Sequence, residues 1–137
     1  MVDNYDFGEL IGRGGFAEVF QATSRISGNQ LALKVMTRSM LAHQPSALSR
    51  IAAEVSIHSK LRHPNIVSLY EHFEDEKCIY LVLELCSIGS LFHVLRQRGP
   101  SNFSEIEASI IMYQILAGLQ YLHYKGIIHR DLKLSNV

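Results

Sequence analysis

His129-Arg130-Asp131-Leu132-Lys133-Leu134-Ser135-Asn136-Val137 brings a carboxylate, an ammonium and a carboxamide together within a few positions. Phosphoryl transfer calls for these three groups. A base must orient the attacking hydroxyl, a cation must stand near the migrating group, and an oxygen must be available to magnesium; Asp131, Lys133 and Asn136 are the right types in that order. A His-Arg-Asp triplet on its own is weak evidence, because such triplets commonly mark a solvated surface turn. Its weight comes from two stretches upstream.

The first is Gly12-Arg13-Gly14-Gly15-Phe16-Ala17-Glu18-Val19 and the second Leu31-Ala32-Leu33-Lys34. Their order and separation are those of a glycine loop followed by a strand lysine. On these motifs the chain resembles a protein kinase from its first strand to its catalytic loop. The resemblance implies an α+β, protein kinase-like fold: a five-stranded antiparallel N-lobe with helix C, then the beginning of a helical C-lobe. The N-lobe and hinge are expected over residues 1–86, and the start of the C-lobe over 87–137.

Composition narrows the setting. The 137 residues suffice for one ordinary domain but fall short of a complete kinase, so a truncated front part is expected. Thirteen basic and thirteen acidic residues cancel, which gives neither nucleic acid nor an anionic membrane a reason to be the main partner. No apolar run approaches the ~20 residues of a membrane span, and the acidic start lacks a signal-peptide pattern. A cytoplasmic protein is expected. Cys78 and Cys86 lack CxxC spacing, and the seven histidines are scattered rather than paired as zinc ligands are.

Taken in order, residues 6–11, 16–23 and 30–36 read as an antiparallel meander, with Ser27-Gly28-Asn29 as the second turn. Period-two alternation puts Leu31, Leu33 and Val35 on one face and Ala32, Lys34 and Met36 on the other. A lysine among apolar neighbours is costly to desolvate unless it meets an anion; an edge lysine reaching to solvent is the plain alternative. Glu54 decides between them. It lies on a helix expected to begin near Pro45-Ser46 and end before His63-Pro64, with Leu48, Ile51, Ala52, Val55 and Leu61 as its apolar stripe. A helical glutamate after a strand lysine at this separation matches the ion pair that holds such a lysine against the α- and β-phosphates.

Residues 65–73 and 77–85 read as a second hairpin through Glu74-Asp75-Glu76, completing five strands. Ser90 is placed to cap a short helix ending at Arg98, before Gly99-Pro100. Ser104 and Glu107 form a capping-box pattern for a helix over 105–124, closed by Gly126. That helix is apolar nearly all round, so it belongs inside a larger body. Left with only these 137 residues, it is expected to promote association.

Two details narrow the resemblance. Ala17 stands where most protein kinases have a third glycine, and Leu83-Glu84-Leu85-Cys86 reads as the hinge; both are similar to polo-like kinases. The segments 54–64, 103–105 and 121–123 are most similar to the polo-like kinase 4, or Sak-type, subfamily. The resemblance implies ATP and Mg2+ as cofactors and assigns nucleotide contacts to Ile11, Gly12, Arg13, Gly14, Gly15, Phe16, Ala17, Glu18, Val19, Ala32, Lys34, Leu83, Glu84 and Cys86. Leu83 takes the gatekeeper position. Asp131, Lys133, Lys34 and Glu54 are the implied catalytic residues, and Asn136 the implied magnesium ligand. Also implied are serine or threonine hydroxyls of protein substrates, centriolar partners, a centrosomal location and polo boxes farther along. Ser90 departs from the pattern, standing where an acidic residue could bind ribose. An Asp-Phe-Gly metal ligand does not occur in these residues, so a nucleotide-binding pseudokinase or inactive fragment is the alternative expectation.

Overall fold

The structure is a computed structural model and describes residues 1–15, 17–42 and 46–137. Phe16, the expected first residue of the second strand and a nucleotide contact, and Pro45, near the expected helix start, lie outside the described residues. The chain forms two compact units. One comprises Met1–Arg62 with Val67–Leu85, the other His63–Ile66 with Cys86–Val137.

The first unit is built on a sheet of β1 (Tyr5–Arg13), β2 (Glu18–Ser24), β3 (Gln30–Thr37), β4 (Leu69–Glu74) and β5 (Cys78–Leu83). Strand order is β1-β2-β3-β5-β4, and every pairing is antiparallel. Among the described residues it is accompanied by a 3-10 turn at Val2–Asn4, the single α-helical turn α1 (Arg38–Leu41) and the longer α2 (Ala47–His58).

Alternation along β3 divides the core into two layers, as the sequence pattern requires. Leu31 and Leu33 are buried with Ala22, Tyr80 and Val82, and Val35 packs alongside. On the opposite face Met36 and Leu81 join Ala17, Leu41, Ala47, Val55 and Leu69. Leu33, Leu69 and Val82 are the largest fully buried side chains. Each contributes roughly 1.5 to 3 kcal/mol by leaving water.

Several boundaries differ from the expected ones. β4 begins at Leu69 rather than residue 65, because His63 and Ile66 close an isolated bridge that diverts the chain first. β5 ends at Leu83, two residues early. α2 stops at His58, so buried Leu61 lies beyond the helix, while Leu48 and Ala52 of the expected stripe are exposed. The turn α1 was not legible in the pattern. The Thr37 hydroxyl accepts from the Met40 amide and starts it.

The second unit contains α3 (Leu91–Gln97) and α4 (Glu105–Tyr124). Ser90 Oγ accepts from the His93 amide, capping α3. Ser104 Oγ accepts from the Glu107 amide while the Glu107 carboxylate accepts from the Ser104 amide, so the capping box is complete. At the other end Gly126 has φ +72°, its amide donates to His123 O and the next amide donates to Leu122 O. A side chain is disfavoured at that φ, which is why glycine ends this helix. Gly118 also matters: a Cβ there would stand 3.2 Å from the Asn65 carbonyl, so its absence lets the segment 63–66 lie close on α4. Ile106, Ile110, Tyr113, Leu116 and Tyr124 remain exposed along this helix.

Candidate active site

Cross-strand register gathers part of the expected nucleotide set on one sheet face. Val19 stands opposite Lys34, and Lys34 opposite Leu81; Ala32 stands opposite Leu83. Directly opposed residues project to the same side, so Val19, Lys34, Ala32 and Leu83 share the face that carries Met36 and α2. Ala32 is buried, Leu83 half-buried and Ile11 exposed.

Between β1 and β2, Gly12 lies against Val19, and Arg13 pairs in register with Glu18. The Arg13 guanidinium lies 2.6 Å from the Glu18 carboxylate. The Gly14 amide donates to Ala17 O at 2.8 Å, closing the loop. A Cβ on Gly15 would meet nothing within 4 Å, so the space beside this backbone is open. The Ala17 methyl is buried in the same layer as Met36 and Val55. The residue that departs from the common glycine therefore has a packing role.

Lys34 Nζ lies 3.7 Å from Glu54 Oε1, with the lysine side chain 30% exposed and the glutamate 59%. That separation exceeds ordinary N–H···O hydrogen bonds, so charge attraction alone joins them. Pairs this exposed contribute at most about 1 kcal/mol to stability, which leaves stability a poor reason for the arrangement. At the end of the sheet, Glu84 donates its amide to Ser68 O at 2.9 Å, and its carboxylate accepts from the Ser68 amide at 3.0 Å. The sequence offered no sign of this double tie. Cys86 is exposed, and neither it nor Cys78 is in a disulfide.

In the second unit, Asp131, Lys133 and Asn136 form one connected group. Lys133 Nζ lies 3.0 Å from Asp131 Oδ2, and Asn136 Nδ2 donates to Asp131 O at 2.8 Å and to Oδ2 at 2.9 Å. The Lys133 contact, followed by the Asn136 amide, holds the Asp131 carboxyl below the usual aspartate range. It is therefore ionised at neutral pH. With Nδ2 committed to Asp131, Asn136 has its Oδ1 left over, a hard oxygen of the kind magnesium prefers.

Two local features shape this loop. Arg130 has φ +67°, a left-handed conformation that a non-glycine residue adopts only when its surroundings demand it. The Asp131 amide donates to His129 Nδ1 at 3.3 Å. Residues Leu134–Asn136 make a 3-10 turn, and the Leu91 amide at the start of α3 donates to Val137 O at 2.7 Å. The triplet was legible in the sequence; the turned backbone at Arg130 was not, because arginine gives no sign of positive φ. Ser90, expected as a gap in ribose binding, uses its hydroxyl as the α3 cap. Among the described residues no cluster of three or more His, Cys, Asp or Glu could hold a metal, and no helix is long and apolar enough to cross a membrane.

Comparison with known proteins agrees with this architecture. The protein kinase domain pattern matches residues 5–137. Serine/threonine-protein kinase PLK4 of Drosophila willistoni is 40% identical over 136 residues, covering 99% of this chain and 17% of that protein. PLK4 of Aedes aegypti is 41% identical over 136 residues, with the same coverage. PLK4 of Drosophila grimshawi is 41% identical over 137 residues, covering 99% of this chain and 18% of that protein. The chain thus spans less than a fifth of the length of these relatives. With a kinase domain pattern along nearly its whole length and the five-stranded antiparallel sheet that such a domain begins with, the chain belongs to the protein kinase family.

Proposed function

We propose that this protein is a serine/threonine protein kinase of the polo-like kinase 4 type, transferring the γ-phosphoryl group of ATP to hydroxyls of protein substrates. Residues 1–86 act as its N-lobe and hinge, and residues 87–137 begin its C-lobe. The similarity to PLK4 supports centriolar proteins as partners, a centrosomal place of work and a role in centriole duplication. The observation that carries the catalytic reading is the hydrogen-bonded group of Asp131, Lys133 and Asn136.

In this reading Ile11, Val19 and Ala32 enclose adenine. Leu83 stands as gatekeeper, and backbone groups of Glu84 and Cys86 meet the adenine edge. Amides of the loop from Gly12 to Glu18 approach the phosphates, Lys34 pairs with the α- and β-phosphates, and Glu54 fixes Lys34. The substrate hydroxyl oxygen bonds to the γ-phosphorus, the bond to the ADP oxygen breaks, and the hydroxyl proton passes to Asp131. Lys133 neutralises charge on the moving group. Asn136 Oδ1 would hold Mg2+, which supplies neutralisation of phosphate charge when bound.

The test is transfer from radiolabelled ATP to a protein substrate by the full-length protein, followed by phosphoamino-acid analysis. Phosphoserine or phosphothreonine that disappears in Asp131→Asn is the expected result. Nucleotide binding with no transfer by the wild type would support a pseudokinase instead.

A further inference from the structure

β4 and β5 run antiparallel, with Leu69 opposite Leu83 where β5 ends. One step farther, the same register sets Ser68 opposite Glu84. Opposed residues in an antiparallel ladder either exchange two backbone hydrogen bonds or make none. Here one of the two is made, from the Glu84 amide to Ser68 O at 2.9 Å. The other is diverted. The Ser68 amide donates at 3.0 Å to Oε2 of the Glu84 side chain, where a regular ladder would send it to the Glu84 carbonyl.

A carboxylate is the better acceptor, since hydrogen bonds to a charged oxygen are roughly twice as strong as those to a neutral one. Ser68 is half-buried, so its amide needs a partner, and the carboxylate supplies it. An amide carries a single hydrogen. Given to the side chain, that hydrogen is withheld from the Glu84 carbonyl, and the ladder stops half a step short. Glu84 itself is exposed, so filling the core gives no reason for its long side chain.

We propose that the Glu84 side chain sets the preference for adenine: by accepting from the Ser68 amide it keeps the Glu84 carbonyl open to the exocyclic amino group of the base. This rests on the reading above, in which Glu84 backbone groups meet the adenine edge. An amino group donates and a carbonyl only accepts, so an open carbonyl favours a base that carries the amino group over one that lacks it. A carbonyl can accept twice, but a ladder bond also aims it, drawing its oxygen toward Ser68. Without the carboxylate, the base loses both a free lone pair and an oxygen pointed at it.

The test compares ADP with purine riboside diphosphate, which has hydrogen in place of the exocyclic amino group. Neither ligand has a γ-phosphoryl group to transfer. Each is titrated with Mg2+ into the full-length wild type, Glu84→Ala and Glu84→Gln, and Kd is read by calorimetry. Wild type should favour ADP by about tenfold, the worth of one good hydrogen bond. Glu84→Ala returns the Ser68 amide to the carbonyl and should bring the two Kd values within about twofold of each other. Glu84→Gln keeps an acceptor oxygen at the same reach and should retain a preference of about fivefold or more. The diphosphates are identical, so a lost charge or a looser hinge moves both Kd values together and leaves their ratio alone. A full preference for ADP in Glu84→Ala, or its loss in Glu84→Gln, would overturn the proposal while leaving the adenine reading in place. Equal affinities in the wild type would reject that reading and the proposal with it.

Discussion

Lys34 and Glu54 are brought within 3.7 Å by two separate elements, a strand and a later helix, whereas Asp131, Lys133 and Asn136 meet at 2.8 to 3.0 Å within one short loop. The first contact depends on everything that seats α2: the buried layer of Met36, Val55 and Leu81, and the bond from His58 to Val67. The second is closed by its own backbone, through the Leu134–Asn136 turn and the left-handed Arg130. A site half encoded locally keeps its geometry unless its own residues change. One assembled by packing can be adjusted from a distance, which makes it the half suited to control.

The largest expected effect falls on the local half. Asp131→Asn keeps the size of the side chain but removes the proton acceptor, so turnover in the full-length protein should drop about 10²- to 10⁴-fold with nucleotide affinity nearly intact. Paired steady-state rates and nucleotide titrations check this. Next comes the packed half: Glu54→Gln should lower turnover by about 10²-fold through misplacement of Lys34. Turnover as fast as wild type would return Glu54 to the class of solvated helix residues.

Stability separates the halves further. Ser104→Ala breaks the capping box of α4 and should lower stability in chemical denaturation by about 1 kcal/mol. The Glu107 carboxyl that completes this box is pulled down to about 2, chiefly by Arg98 and then by Ser104. Because its folded value lies below the unfolded one, its stabilising effect is present above the ordinary glutamate range. It is lost as pH falls from there through about 2, and an acid titration followed by circular dichroism reads it. The smallest expected change is a shift in pH profile, read apart from the turnover that losing the Lys133 charge would itself cost. Lys133 is the main cause of the lowered Asp131 value, so Lys133→Ala should move the acid limb of kcat/KM upward; an unmoved limb would separate Lys133 from the base.

How much could be read from sequence follows the same division. Period two along β3 sorted Leu31, Leu33 and Val35 from Lys34 and Met36, and both layers are found as that alternation requires. Ser90, Ser104, Glu107 and Gly126 marked helix ends because capping is a local event. The loop at Asp131 was visible for the same reason. What escaped was tertiary. The tie between Glu84 and Ser68 and the close approach allowed by Gly118 join residues distant in sequence, while the diversion of residues 65–68 and the bond from His58 to Val67 join nearer ones whose backbone course no residue pattern announces. Leu48 and Ala52 misled because an apolar stripe tells which side of a helix can be buried, not how much of it the sheet covers.

The most direct test of the packed half as a working unit is a double-mutant cycle on kcat/KM with Lys34→Met, Glu54→Gln and the double variant in the full-length protein. If Glu54 acts through Lys34, the double variant should be no worse than Lys34→Met alone. Losses that simply add would contradict the account, placing Glu54 outside the site and leaving the 3.7 Å contact a surface ion pair.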